Sequence, residues 1–287
     1  MNVAIVGSSG YIAKFLLEAL EKEEKVKQIL KIDQNPGADV FLKLEEPEKF
    51  NYSALDEIDY VIFTAAISGP DKCADEFELC WNINVIGTKY FIKEAIARKC
   101  NVLFFSSDAV FGDIPGEIYT ENSETKAATP YGRMKKSIED EFKDNPHFKA
   151  IRLSYVVSSK DKFVSYCLSC MQNGEKADIF HPFYRNCIVV SDVVRVVLWF
   201  ASHWDEYEPF VLNVAGAELV SRVRIVDELN RLLGNRILYT ISQPGDDFFK
   251  NRPAITQMQS LYLNKYNILE NTSFSVKMKR ELESVEK

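Results

Sequence analysis

The sequence predicts an α/β chain, a doubly wound parallel sheet with a smaller, interleaved second lobe, and three observations carry that prediction. Short apolar runs alternate with longer helical patterns through the first half of the chain. The runs are apolar on consecutive residues, as in NVAIV and YVIF, which suits strands covered on both faces. A glycine-bearing turn joins the first run to the first helical pattern, as in Rossmann-type folds.

The elements follow in order. NVAIV is the first strand and YIAKFLLEALEKE the first helix; KQILKID ends the second strand at Asp33, VFLKL is the third strand and DYVIFTAA the fourth. A long helix reaching Lys99 precedes the fifth strand, NVLFFSS. Thr129 and Pro130 open a helix running to about Phe142, since a threonine caps the free amides of a first turn and a proline there forfeits no hydrogen bond. AIRLSYVV is the next strand. After about residue 155 the alternation loosens into FVSYCLSCMQNG, the pieces around HPFYRN, a helix starting at Ser221 and a tail from Thr272 onward. The expected division is residues 1–155 as a Rossmann-type domain, to which a segment at about 185–215 returns, and 156–287 mainly as the second lobe. No repeat or low-complexity linker separates the two, so the lobe is expected to be interleaved with the domain.

Bulk properties narrow the function. With 287 residues, 46% of them hydrophobic, the chain buries a large core. A formal charge of −7, from 35 Lys and Arg against 42 Asp and Glu, argues against binding along a nucleic-acid backbone. No apolar run approaches the roughly 18–20 residues that span a bilayer, and no signal-peptide charge block precedes the first strand, so the expectation is a cytoplasmic protein without a membrane partner. Cys73, Cys80, Cys100, Cys167, Cys170 and Cys187 lie mostly in apolar stretches and read as reduced core residues. Cys167 and Cys170 form a CxxC pair without a second pair or a nearby His, and no metal site is expected.

Gly7, Gly10 and Ala13 in VGSSGYIA form the first chemical motif. Gly7 permits the tight turn, Gly10 lets a phosphate approach the backbone, and Ala13 allows close helix packing. The second strand ends about 20 residues on at Asp33, where an acid accepts ribose hydroxyls and repels a 2′-phosphate, so NAD is favoured over NADP. Tyr131 and Lys135 in TPYGRMKKS are four residues apart, on one helix face. Bringing a phenol from its ordinary pKa of about 10 to neutrality requires about 4 kcal/mol, which a lysine ammonium and an oxidised nicotinamide can supply. Ser107 ends the fifth strand at the sheet edge where ligands bind, and its hydroxyl can bond the reacting oxygen while Tyr131 passes the proton and the nicotinamide passes hydride.

In this order, the GxxGxxA turn, YVIFTAA leading to Asn82 and Asn84 of NINVIGT, SSDAVFG, the YGRMK helix start and RLSYVV resemble the extended short-chain dehydrogenases that act on nucleotide sugars, the NAD-dependent epimerase/dehydratase superfamily, from residue 1 to about 260. DKCADEFELCWNINV and SSDAVFG resemble most the dTDP-4-dehydrorhamnose reductase branch. The resemblance implies catalysis by Ser107, Tyr131 and Lys135, and cofactor contacts from Gly7, Ser9, Gly10, Tyr11, Ile12, Asp33, Ala65, Ala66, Asn84 and Val156. It implies substrate contacts from Asp108, Ala109, Arg185 and Arg252, a nucleotide-sugar substrate held by the second lobe, and a homodimer. Asp192 falls in a region that relatives use for lobe packing.

Departures from the pattern bear on the reaction. Dehydratases of the family carry an Asp-Glu pair after the catalytic hydroxyl, and this chain has Asp108 followed by Ala109, which removes the proton acceptor for elimination. The reductase branch usually has an aromatic at that position. Leu44 stands where many relatives place an aspartate for the adenine, with Glu45 next to it, and Asp33 suits an epimerase that retains NAD. Reduction of a keto sugar, epimerisation with bound NAD and a non-catalytic sensing role therefore remain as readings. His147, His181 and His203 are scattered; His181 is at most a substrate contact, and Phe180, Phe183 and Tyr184 serve core packing or base stacking. KMKRELESVEK reads as a solvated helix face.

Overall fold

Consecutive apolar residues put the strands of the first unit at its centre. In the computed structural model, which describes residues 1–283, a seven-stranded sheet contains β1 (Asn2–Val6), β2 (Gln28–Asp33), β3 (Val40–Phe41), β4 (Tyr60–Phe63), β5 (Asn101–Ser107), β7 (Phe148–Leu153) and the strand Val211–Val214; β6 (Ile118–Tyr119) belongs to a smaller sheet. The order is Val211–Val214, β7, β5, β4, β1, β2, β3, and the pairs from β5 to β3 run parallel. In register, Val6 pairs with Ile32 and Phe63, and Phe63 with Phe104. Gly7, Asp33, Thr64 and the SSDA turn therefore emerge along one carboxyl edge, the ligand-binding edge of such sheets.

Helices cover the sheet through apolar stripes. α1 (Tyr11–Leu20) buries Ala13, Leu16 and Leu20. α5 (Pro130–Phe142) starts as the sequence predicts, with the Thr129 Oγ1 accepting from the Gly132 amide at 3.1 Å. The expected long helix to Lys99 is instead four pieces: α2 (Pro70–Asp75), α3 (Phe77–Trp81), a π-helical turn Asn82–Gly87 and α4 (Thr88–Ala97). Glu76, at φ −113° and ψ 48°, breaks the first joint. At the second, a Cβ on Gly87 would lie 1.9 Å from the Leu44 carbonyl oxygen, so this turn passes the loop after β3 only as glycine. The expected third strand shortens to Val40–Phe41, because Leu42 and Leu44 turn into the core instead of extending a sheet edge.

The chain divides into two compact units, the first made of Met1–Gly112, Glu124–Arg152 and Val194–Leu212, the second of Asp113–Ser123, Leu153–Val193 and Asn213 onward. The second unit holds a four-stranded sheet ordered Val220–Ser221, Tyr184–Arg185, Ile255–Met258, β6; α7 (Val190–His203) starts in it, and its own core lies around α6 (Lys162–Asn173), α8 (Arg222–Leu232) and the helix Phe274–Glu283. Asp161 caps α6, Gly174 ends it in the left-handed conformation, and Ser221 caps α8. The tail helix Phe274–Glu283 docks through an ion pair, half-buried Lys277 Nζ to buried Asp192 at 2.6 Å. The last four residues of KMKRELESVEK lie outside the described residues. All six cysteines are free and buried, Cys167 and Cys170 included, and among the described residues no group of His, Cys, Asp or Glu is placed to hold a metal.

Candidate active site

The glycine turn fits a dinucleotide diphosphate. Gly7 has φ +85°, and a Cβ there would lie 2.7 Å from the Ala65 amide nitrogen, so the β1 and β4 loops touch as bare backbone. Gly10, whose added Cβ would sit 3.0 Å from the Gly7 oxygen, caps α1 with no side-chain bond, in contrast to the capped α5, α6 and α8. Ser9 and Gly10 are exposed, and Tyr11 and Ile12 half-buried, at this helix start, where free amides and the helix dipole favour an anion.

Asp33 ends β2 with both carboxylate oxygens engaged. Oδ2 accepts from the Ser9 amide at 2.9 Å and the Ser9 hydroxyl at 2.8 Å; Oδ1 accepts from the Asn35 amide at 3.0 Å and its Nδ2 at 2.8 Å. Burial pushes this carboxyl up, but the bonds from Ser9 and Asn35 outweigh it and hold it below the ordinary value. Asp33 thus ties the glycine loop to the sheet, and a ribose diol reaching it must share these oxygens with Ser9 and Asn35. Asn35 is a residue that the glycine pattern does not reveal.

The second cluster joins three elements. Ala65 and Ala66 are half-buried on the β4 loop; Asn84, buried in the π turn, accepts from the Ile67 amide at 2.8 Å and donates to the Ile67 oxygen at 2.9 Å, fixing that loop. Asn84 Nδ2 also lies 3.5 Å from the Met134 sulfur of α5. A Cβ on Gly132 would fall 1.9 Å from the Ala109 oxygen, so α5 starts directly against the turn after β5. Ser107, Asp108 and Ala109 are half-buried there; the Ser107 hydroxyl donates to Asp108 at 3.0 Å and accepts from the Ala109 amide at 3.2 Å.

Tyr131 and Lys135 share one face of α5, with the Lys135 ammonium 4.5 Å from the Phe104 ring centre and 5.7 Å from that of Tyr131. Burial pushes the Tyr131 phenol well up, and Cys73 and Asp108 push the same way. Desolvation of the phenolate is the largest cause, and it acts before any oxidised nicotinamide adds its field to that of Lys135. Burial also lowers Lys135, to about 7, against support from Cys73 and Glu139. The chain's own groups therefore keep the phenol protonated and make the lysine titrate near neutrality.

A family model, the NAD dependent epimerase/dehydratase family, matches residues 3–215. The chain belongs to this family. A curated relative, UDP-glucose 4-epimerase 1 of Oryza sativa subsp. japonica, is 28% identical over 181 residues, 54% of this chain and 50% of that protein. The chain thus matches about half the length of that relative. The dTDP-4-dehydrorhamnose reductase of Clostridium acetobutylicum superposes with a TM-score of 0.83 at 21% identity over 100% of both chains. MoeE5 in complex with UDP-glucose and NAD gives a TM-score of 0.82 at 20% identity, over 100% of this chain and 99% of that one. At these identities the likeness is one of fold.

In this member of the epimerase/dehydratase family, the remaining residues named from sequence lie in the second unit. Val156 is half-buried in a short strand paired with Ile188–Val189. Arg185 is buried, and its guanidinium donates to the carbonyls of Tyr184 at 2.6 Å, Pro253 at 2.7 Å and Ala254 at 3.3 Å. It braces two strands, a use of the fork that differs from the expected substrate contact. Arg252 lies over the Phe248 ring at 4.5 Å and donates to the Phe248 oxygen. Phe180 and Phe183 pack edge-on against Phe248. Arg222, which the sequence reading passes over, sits between the rings of Phe163, Phe183 and Phe248 at 5.0, 4.6 and 5.6 Å, its charge disfavoured by burial and by Arg252 and Arg185. No helix among the described residues is long and apolar enough to cross a membrane.

Proposed function

We propose that this family member is an NAD-dependent oxidoreductase of nucleotide-activated sugars that reduces a keto group on the sugar. The observation that carries the reading is the Tyr131–Lys135 face of α5, set against the Ser107–Ala109 turn along the same sheet edge as the glycine loop. The reduced cofactor, NADH, would supply the hydride when bound. Tyr131, kept protonated by burial, is suited to donate its proton to the sugar oxygen as the carbonyl is reduced. Lys135, charged below about pH 7, stabilises the phenolate that this transfer leaves. The Ser107 hydroxyl, by rotating away from Asp108, can bond the same oxygen. Ala109 offers no second carboxylate, which speaks against elimination of water.

Epimerisation with retained NAD is the second reading. It is favoured by Asp33, held below the ordinary carboxyl range at the ribose position, and by the similarity to a UDP-glucose 4-epimerase. Mass spectrometry of nucleotide released on denaturing freshly purified protein separates the two. Stoichiometric NAD indicates the epimerase; an empty protein that turns over a keto-sugar nucleotide with added NADH indicates the reductase. Tyr131→Phe is expected to lower turnover by about 10²–10⁴-fold. Equal rates for wild type and Tyr131→Phe would remove the assigned proton donor.

A further inference from the structure

The stripe of α5 that carries Tyr131 and Lys135 continues to Glu139, one further turn along at the same four-residue spacing. Glu139 is buried and its carboxylate is gripped from two strands. Arg152 of β7 donates Nε to both oxygens at 3.1 and 3.2 Å and Nη2 to Oε2 at 2.7 Å, while Ser106 of β5 donates to Oε1. Arg152 in turn lies 5.0 Å from the Phe111 ring centre. Replacing a buried ion pair by apolar residues is often neutral or stabilising, so packing alone does not account for one here.

Lys135 gives it a use. The ammonium is buried, 4.5 Å from the Phe104 ring centre. The groups facing it are Tyr131 and Glu139 from its own helix, Cys73 from α2 and Phe104 from β5; Asp108 acts on Tyr131. Cys73 is pushed by burial up to about 12 and is a neutral thiol near neutrality. Glu139, a carboxylate on the same helix stripe, supports the ammonium.

We propose that Glu139 is a positioning residue for the Tyr131–Lys135 pair, its carboxylate clamped by Arg152 and Ser106 so that the Lys135 ammonium stays charged beside Tyr131. The inference rests on the catalytic reading of Lys135 given above, but its test does not.

Protein labelled with ¹³C at the lysine side chains is titrated by NMR, with the Lys135 signal assigned by its loss in Lys135→Met. The wild-type midpoint is expected near 7. In Glu139→Gln it is expected to fall by about one pH unit, a tenfold loss of proton affinity, and Glu139→Asp is expected to restore part of it. A midpoint unchanged in folded Glu139→Gln overturns the proposal and leaves Glu139 a packing residue. Should that variant fail to fold, Glu139→Gln/Arg152→Met leaves neither member of the Glu139–Arg152 pair buried and charged alone, and a smaller fall in the midpoint is expected there. The titration uses neither cofactor nor sugar, so it stands if the assigned reaction is wrong. Turnover of a keto-sugar nucleotide with an unmoved Lys135 midpoint refutes this proposal alone.

Discussion

Replacing Gly7 by alanine imposes two separable costs. The first is conformational: at φ +85° an L side chain meets the following carbonyl, at about 1–2 kcal/mol. The second is contact, since the added Cβ would lie 2.7 Å from the Ala65 nitrogen, 2.8 Å from its Cα and 2.9 Å from Thr64 Oγ1. Backbone cannot swing aside, and Thr64 Oγ1 is held by its bond to the Val6 oxygen at 2.8 Å. Overpacking of this kind costs about 1–3 kcal/mol, so Gly7→Ala should lose about 2–5 kcal/mol in all. Gly37→Ala is the control: its φ is +94°, but nothing lies within 4 Å, so only the conformational cost applies. Urea unfolding followed by tryptophan fluorescence reads the right unit, because Trp81, Trp199 and Trp204 all lie in the first. The two variants should differ by about 1–3 kcal/mol, and calorimetric titration should show NAD affinity lost in Gly7→Ala and kept in Gly37→Ala. If the two lose equal stability, the close approach of the β1 and β4 loops is not what demands glycine at position 7.

Two further outcomes follow from the same geometry. Thr129→Ala removes the cap on the Gly132 amide and should cost about 1 kcal/mol in urea unfolding; an unchanged midpoint would mean that Pro130 alone sets the start of α5. Lys135, lowered from its ordinary value to about 7, carries charge below that pH and loses it above, so reductive turnover should decline as pH rises through about 7, whereas stability should rise over the window from about 7 to the unfolded lysine value of about 10.4, where the unfolded chain binds the extra proton. A turnover profile flat from pH 6 to 9 would remove Lys135 from the reacting centre.

The fold was legible where local chemistry and burial agree. Runs such as NVAIV and YVIF are apolar on both faces because the sheet is covered on both, and Thr129–Pro130 and Ser221 mark helix starts through their own hydrogen-bond chemistry. Where tertiary contact decides, the sequence misleads. VFLKL alternates like a strand, yet Leu42 and Leu44 leave the sheet edge for the core, and the long helical pattern to Lys99 is broken by a turn that must clear the Leu44 carbonyl.

The same division runs through the site, and it explains why its motif residues were readable while their supports were not. Tyr131 and Lys135 are visible because a helix converts a four-residue spacing into proximity. Glu139 obeys that spacing too, but its meaning depends on Ser106 and Arg152, which reach it from two different strands. Arg185 reads as an exposed fork for a diphosphate, yet it finds carbonyls 68 and 69 residues away that no spacing announces. Burial then sets the direction of the chemistry. It raises the phenol and lowers the ammonium, so both groups are driven toward their neutral forms. A donor that must hold its proton until hydride reaches the neighbouring carbon gains from the first shift. It loses from the second unless an anion supports the charge on the lysine, which is the part we propose for Glu139.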